Sequence, residues 1–426
     1  MSFKFLHLSD IHLGYQQYGS RDRFNDFGRA FLAAMDEALA QRVDLVVISG
    51  DFFHKSAIDP PTLLQAVNGL DKLRQQNISV AAIAGNHDKA RYRDSFSWLD
   101  FLAERDYLAL LSPTFAEDGM HLLPWDGHEG AYLDLGPVRV IGVPYLASIR
   151  PVIAQLPAAL AALPKTGTAY TMLLAHAGIE GEMPGIPSAL TYDELSPLRD
   201  LVNYLALGHL HKPFEQAGWI YNPGSLEVCG MDERRWKGGC YLVTVNPDST
   251  PAHIVEHLPS KRRPFHRVTF MVDTYTTPEN LYAALRAQLE MEAPLLQLTD
   301  QKPVVELSLE GVLAFDRLAL DPRVPEKLIE DIVQPLIGRV QEDRMRTADF
   351  AVTPETGLEL GDLERSVLEQ LIVRDGRYAR QSDAWAELML TVKQITLAGS
   401  EPKTLAATVR QRMIEIQEVR DVADGD

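Results

Sequence analysis

The stretch Ile78-Ser79-Val80-Ala81-Ala82-Ile83-Ala84-Gly85-Asn86-His87-Asp88 decides how this chain is read. A largely apolar run stops at a glycine, and an amide, an imidazole and a carboxylate follow at once. That is the pattern of a buried strand ending in a reactive loop. Each of the three side chains can serve a metal ion or a proton transfer. The pattern recurs at Asp10-Ile11-His12 after Phe3–Leu8, and at Gly50-Asp51 after Asp44–Ser49. It recurs again at His176 after Met172–Ala175, and at Gly208-His209-Leu210-His211 after Tyr204–Leu207. In α/β sheets ligands bind beyond the carboxyl ends of strands, so such ends can converge on one site. The two-residue spacing in Asp10-x-His12 and His209-x-His211 can put both side chains on one side of an extended backbone. Glycines before Asp51, Asn86 and His209 suit tight turns. Carboxylate, imidazole and amide oxygen without thiolate is a donor set for harder or borderline divalent ions such as manganese, iron or zinc.

Taken in this order, Asp-x-His, Gly-Asp, Gly-Asn-His-Asp, a lone His and Gly-His-x-His resemble the signature of calcineurin-like metallophosphoesterases. Leu8-Ser9-Asp10-Ile11-His12-Leu13-Gly14-Tyr15 and Gly50-Asp51-Phe52-Phe53-His54 narrow the resemblance to SbcD-type double-strand-break-repair nuclease subunits, especially archaeal ones. The match covers roughly residues 3–225, and beyond that the resemblance is one of layout. It implies an α/β fold, a metallophosphoesterase αββα sandwich over residues 1–260. A small α/β capping, DNA-binding domain over 265–350, a linker over 351–361 and a helical partner-binding region over 362–426 would follow.

Residue by residue, the resemblance places Asp10, His12 and His211 on one metal ion and Asn86, His176 and His209 on the other, with Asp51 bridging. Manganese is the ion the family leads one to expect, and the donors equally admit iron or zinc. Two ions about 3.5–4 Å apart can activate water and stabilise the attacking and leaving oxygens at phosphorus. His87 would protonate the leaving sugar oxygen or stabilise transition-state charge, with Asp88 orienting it. His54 would position the phosphodiester, and Tyr15, Arg91 and Arg93 would contact substrate. The implied activity is a DNA exo- and endonuclease, working on ends, hairpins or single strands within an SbcCD-like repair complex. The alternatives are a phosphoesterase for nucleotides or phosphoproteins, and an architectural subunit with little chemistry of its own. The implied partners are an SbcC-like coiled-coil ATPase docked on the C-terminal helices, and a second copy of the chain.

Length and composition bound these readings. The 426 residues predict two or three domains, each able to bury a core. No apolar run reaches membrane-spanning length, and Met1-Ser2-Phe3-Lys4 leads into a strand rather than a signal peptide, which predicts a cytoplasmic protein. Cys229 and Cys240 are too few for a disulfide framework and read as reduced core residues. The net charge of −18 opposes a free-standing nucleic-acid binder, because duplex affinity rests on neutralising phosphates. Bound cations and a DNA-holding partner would offset it. The basic sets Arg21/Arg23, Lys89/Arg91/Arg93 and Lys261-Arg262-Arg263 read as solvated faces.

Along the chain, helical spacing over Arg21–Arg42 puts Phe24, Phe27, Phe31, Met35 and Leu39 on one core-facing stripe. Pro60-Pro61 opens a second helix, so the first 84 residues read as βαβαβ with parallel strands. A further helical pattern runs from Phe96 towards Leu111. Gly178–Pro187 reads as a loop bordering the site, and the segments Trp219–Ser225 and Gly239–Val245 are expected to complete a second sheet. Strands over Phe265–Val272, Val304–Leu309 and Arg339–Arg346 and helices over Pro278–Met291 and Pro325–Ile337 make up the small domain. Three amphipathic helices follow, with Trp385, Leu388 and Met389 expected at the centre of a partner contact.

Overall fold

The computed structural model describes residues 2–90, 96–164, 167–182, 189–347, 360–373, 378, 381–398 and 402–423. The chain divides into two compact units, Met1–His266 with Gln301–Val304, and Arg267–Asp300 with Val305–Asp426.

The first unit begins β1 (Phe3–Leu8), α1 (Arg21–Gln41), β2 (Leu45–Ser49), α2 (Pro60–Arg74) and β3 (Ser79–Ile83), and β1, β2 and β3 pair in parallel. Helix α1 starts where the Ser20 side chain accepts the Arg23 N–H, and α2 starts at Asp59 with prolines in its first turn. The helical pattern after Phe96 shrinks to α3 (Trp98–Ala103), which gives way to β4 (Ala109–Leu110) once Asp106 takes φ +57°. A small hairpin, β5 (Thr114–Ala116) and β6 (Gly119–His121), precedes β7 (Tyr132–Leu135), β8 (Val138–Val143), α4 (Arg150–Ala161) and β9 (Tyr170–His176). Then come α5 (Tyr192–Leu195), β10 (Tyr204–Gly208), β11 (Phe214–Gln216), β12 (Ile220–Asn222), β13 (Gly239–Val245) and β14 (His253–Pro259).

Two six-stranded sheets result, ordered β14-β13-β1-β2-β3-β4 and β11-β12-β10-β9-β8-β7. One expectation is corrected here. Gly239–Val245 joins the first sheet, antiparallel to β1, and only Ile220–Asn222 extends the second. Strand β13 is buried almost throughout, so it must be covered on both faces, and the place beside β1 provides that.

Alternation along the central strands sets the layers. Phe5, Leu45, Val47, Ala81, Ile83, Met172, Leu174, Tyr204 and Ala206 fill the space between the sheets. Their neighbours Leu6, Leu8, Val46, Ile48, Val80 and Ala82 face the α1, α2 and α3 side. Leu173, Ala175, Leu205 and Leu207 face α4 and α5. The architecture is therefore an αββα sandwich. The α1 aromatics Phe24, Phe27 and Phe31 are buried, as their spacing predicts. Each large apolar side chain so buried contributes roughly 1.5–3 kcal/mol, so the sheets form a rigid base for whatever their ends carry.

Two basic sets read as solvated are so only in part: Arg21 and Lys261 are exposed, whereas their neighbours turn inward. Arg23 is fully buried, 2.6 Å from Asp26 and 3.2 Å from Glu227, and Arg263 pairs with the same Asp26 (Nη2–Oδ1 2.9 Å). Arg262 donates to the carbonyls of Ser225, Leu226 and Trp236. Buried carboxylates and carbonyls draw these guanidinium groups in, since their planar forks satisfy several acceptors at once.

Apart from Phe265, His266 and Val304, which belong to the first unit, the second unit contains a three-stranded sheet of β15 (Phe265–Met271), β16 (Val304–Leu313) and β17 (Ile337–Thr347) in that order. With α6 (Pro278–Leu296) and α7 (Arg323–Ile332) these strands bury a core that includes Leu281, Leu285, Leu307 and Ile329. Helix α7 stops short of the predicted Ile337 because Gln334 is left-handed (φ +50°) and Pro335 cannot continue a helix. Helices α8 (Leu360–Val373), α9 (Ser382–Leu397) and α10 (Pro402–Ala423) follow, α9 packing against both others. Leu388 and Ile416 are buried among them, so Leu388 belongs to the helices' own packing, while Met389 is exposed. Trp385 is partly buried, with its ring edge-on to Tyr378 (4.8 Å). Apart from Leu360 and Gly361, the predicted linker lies outside the described residues.

Candidate metal centre

Strands β1, β2 and β3 of one sheet and β9 and β10 of the other end on one side of the sandwich, each in a predicted site residue. The loop after β1 is laced to the loop after β2. The Asp10 N–H donates to the Gly50 carbonyl (3.1 Å), those of Ile11 and His12 to Asp51 (2.9 and 3.0 Å), and that of Leu13 to Phe52 (2.9 Å). Asp10, His12 and Asp51 are left-handed, at φ +50°, +51° and +52°, and His209 has φ +95°. Such conformations cost about 1–3 kcal/mol each and persist where surrounding structure over-determines them. Gly50 shares this backbone region (φ +91°), and a Cβ on it would stand 2.3 Å from His176 Nδ1. Gly85 is needed for a different reason, because a Cβ there would meet Asp51 Oδ1 at 2.1 Å.

Asp51 sits in the middle. Its Oδ2 lies 3.5 Å from His176 Nε2, 3.9 Å from His12 Nε2 and 4.0 Å from His87 Nε2, while Oδ1 accepts the His87 N–H (2.9 Å). On one side, His12 Nε2 and His211 Nε2 are 3.0 Å apart, with Asp10 Oδ1 3.8 Å from His211 Nε2. On the other, Asn86 Oδ1 lies 3.1 Å from both His176 Nε2 and His209 Nδ1. Hydrogen bonds behind the rings fix which nitrogens face inward. His176 Nδ1 donates to the Ser49 carbonyl (2.7 Å), and His211 Nδ1 faces Glu233 Oε1 at 2.7 Å. With Nδ1 so held, each ring turns Nε2 inward, where it offers a lone pair to a cation once it gives up its proton. Nitrogen and oxygen donors gathered in this buried cleft fit a divalent ion on each side of Asp51.

The charges behave accordingly. Burial would push the Asp51 carboxyl up, but His176 overrides it and holds Asp51 well below the usual carboxylate range. His176 is raised by that carboxylate against its own burial. Burial, and then His211, drive His12 well below an ordinary histidine. Burial and the neighbouring His87 hold His54 down at about 4, so its ring is neutral at neutral pH.

Asp88 does not orient His87 as predicted. It is buried, its carboxylate accepts the N–H groups of Phe52, Phe53 and Gly85, and burial followed by Asp51 raises it to about 6. It binds the β2 and β3 loops together. The His87 ring is held by the His54 carbonyl, 2.7 Å from Nδ1, which leaves Nε2 toward Asp51. Tyr15, His54 and His87 form a stack, with centroids 3.8 Å and 5.4 Å apart. Arg91 and Arg93 lie outside the described residues, as does part of the Gly178–Pro187 loop.

Three features escaped the sequence reading. Glu233, far from any quoted block, grips His211 and also accepts the Cys229 N–H (2.8 Å). Cys229 is half-buried beside His211 instead of in the core, which corrects its assignment. Tyr145 stands 5.8 Å from the His209 ring, with the Lys89 ammonium over its own ring (4.7 Å). His7 is a core residue, as expected, with Nδ1 3.0 Å from the Tyr204 hydroxyl and Nε2 3.0 Å from that of Ser49.

Residues 3–213 match the calcineurin-like phosphoesterase family. Among curated proteins, the DNA double-strand break repair protein Mre11 of Archaeoglobus fulgidus is 33% identical over 237 residues, 54% of this chain and 51% of that one. The Mre11 protein of Aeropyrum pernix is 30% identical over 275 residues, 62% and 63% of the two chains. That of Methanococcus maripaludis is 25% identical over 316 residues, 71% and 76%. The chain thus spans between about half and two thirds of the length of the first two relatives. No described helix is long and apolar enough to cross a membrane. Calcineurin-like phosphoesterases hold a pair of metal ions, and with its donors gathered at the matched strand ends this chain belongs, through residues 3–213, to the calcineurin-like phosphoesterase family.

Proposed function

We propose that the chain is a two-metal phosphodiesterase that cleaves DNA, the nuclease subunit of an SbcCD-like repair complex. The observation that carries this reading is Asp51, whose carboxylate has the inward nitrogens of His12, His87 and His176 within 4.0 Å. Asp10, His12 and His211 would hold one ion, Asn86, His176 and His209 the other, and Asp51 both, with manganese the preferred metal. Bound there, the pair would supply an activated water and stabilise charge at phosphorus. With Nδ1–H on the His54 carbonyl, His87 as the imidazolium would offer its Nε2–H to the leaving sugar oxygen. The neutral, stacked His54 would hold the phosphodiester in line, with Tyr15 behind it and Arg91 and Arg93 reaching the backbone. Relatives named for double-strand break repair support DNA as substrate, and a cytoplasmic location accords with that substrate. The exposed apolar residues of α8–α10, among them Met389, Leu397 and Ile414, support docking of a coiled-coil ATPase there.

The purified chain with manganese should cut labelled single-stranded, duplex or hairpin DNA as well as a small chromogenic phosphodiester. Asp51→Ala should abolish both activities, by at least about a thousandfold, since it removes the ligand common to both ions. His87→Ala should keep both metal ions and lose about 10²–10⁴ in turnover. Full activity in a folded Asp51→Ala protein would sink the two-metal reading. Hydrolysis of the small diester without any DNA cleavage would point to nucleotides or phosphoproteins instead.

A further inference from the structure

The two halves of the centre are not chemically equivalent. Around Asn86 the donors are oxygen and imidazole nitrogen. On the other side, one donor atom from each of His12, His211 and Cys229 lies within 4.8 Å of the others. His12 is 2% exposed, and its Nδ1 has no hydrogen-bond partner among the described residues. The facing Nε2 atoms of His12 and His211, 3.0 Å apart, cannot both carry protons toward each other. At least one of the two therefore presents a lone pair, which a cation could take.

Cys229 is built into its place. Its N–H donates to Glu233 Oε2 (2.8 Å), and its carbonyl accepts from the Gln17 side-chain amide (2.8 Å). Through its other oxygen, Glu233 grips His211 (2.7 Å), so one carboxylate sets both the imidazole and the cysteine backbone. The thiol's own hydrogen bond, to the Glu227 carbonyl, is long at 3.7 Å and easily given up. Asp10 and Asp51 supply carboxylate oxygen on this side, and sulfur added to two imidazoles shifts such a set toward zinc-class ions over manganese.

We propose that Cys229 is a further ligand of the His12/His211 position, making that position thiophilic and the centre one that favours two different metals. A zinc- or cadmium-class ion occupies the Cys229 side and a harder ion such as manganese the Asn86 side. On binding, the sulfur–metal bond replaces the S–H bond, and the proton leaves to buffer. The proposal rests on the two-metal reading above.

The test uses the full-length metal-free chain, its Cys229→Ser variant, and Cd²⁺ and Mn²⁺ as probes in calorimetric titrations. In the wild type, Cd²⁺ should produce a thiolate-to-metal absorption band and slow alkylation of Cys229, followed by peptide mass spectrometry, by at least about tenfold. In Cys229→Ser the band should vanish, and the preference for Cd²⁺ over Mn²⁺ should fall by at least about tenfold. Cd²⁺ binding in the wild type without the band and without protection of Cys229 overturns the proposal while leaving the two-metal reading intact. Failure of both ions to bind overturns both. The absorption and alkylation measurements on the wild type decide the matter even where Cys229→Ser does not fold.

Discussion

Glu233 holds His211 from behind, and its contribution should be measurable apart from the fold. Glu233→Gln removes the charge that fixes the inward nitrogen, so cadmium affinity at the His12/His211 position should fall about 10–100-fold while the circular dichroism spectrum is unchanged. Equal cadmium affinity in the variant, read by calorimetric titration, would contradict that role. His7 makes a prediction about acid. Burial pushes its folded pKa down to about 3, against 6.5 when unfolded. Between those values the unfolded chain binds the extra proton, so stability falls as pH drops below about 6.5, by up to about 1.4 kcal/mol per pH unit from this group. In His7→Gln, urea unfolding between pH 7 and 5 should show a slope shallower by up to that amount, and an unchanged slope would mean the ring is charged in the fold. Donor residues at strand ends were legible because Asp, His and Asn after an apolar run are conspicuous. Glu233 and Cys229 were not, since they sit in a polar turn that only the folded chain brings to His211.

At the scale of elements, the parallel order of β1, β2 and β3 could be read from alternating apolar runs and helical spacing. The place of β13 could not, because a strand buried on both faces fits either sheet equally well by sequence. Tight turns account for the glycines only in part. Turn conformation explains Gly50, but Gly85 is present because the β2 and β3 loops touch, and the left-handed backbone falls on the donors themselves. Gly85→Ala should therefore displace the Asp51 carboxylate and weaken manganese binding at least about tenfold, with the sheets still formed. Manganese bound to Gly85→Ala as tightly as to the wild type would show that the loops can part without cost.

For the whole molecule, the net charge of −18 bears on how the proposed DNA substrate would be held. Arg23, Arg262 and Arg263 are engaged inside the first unit, so the chain has less free basic surface than its composition suggests. Partner-assisted DNA binding follows from the proposed function. Removing residues 356–426 should leave hydrolysis of a small diester within about twofold and abolish co-purification with the coiled-coil ATPase, because α8–α10 form their own packed set. Unchanged ATPase affinity of the shortened chain would place the docking site elsewhere.

The polypeptide leaves the first unit after His266, returns for Gln301–Val304, and leaves again. Those four residues are pegged to the first unit by the Val304 N–H on the Pro264 carbonyl (2.9 Å) and by Arg263 on the Lys302 carbonyl (2.6 Å). A gene cut in two at codon 267 would accordingly encode a first fragment missing a piece of itself, which only the second fragment can donate. The protein is a candidate for split-reporter designs, in which the two halves regain their stability by finding each other.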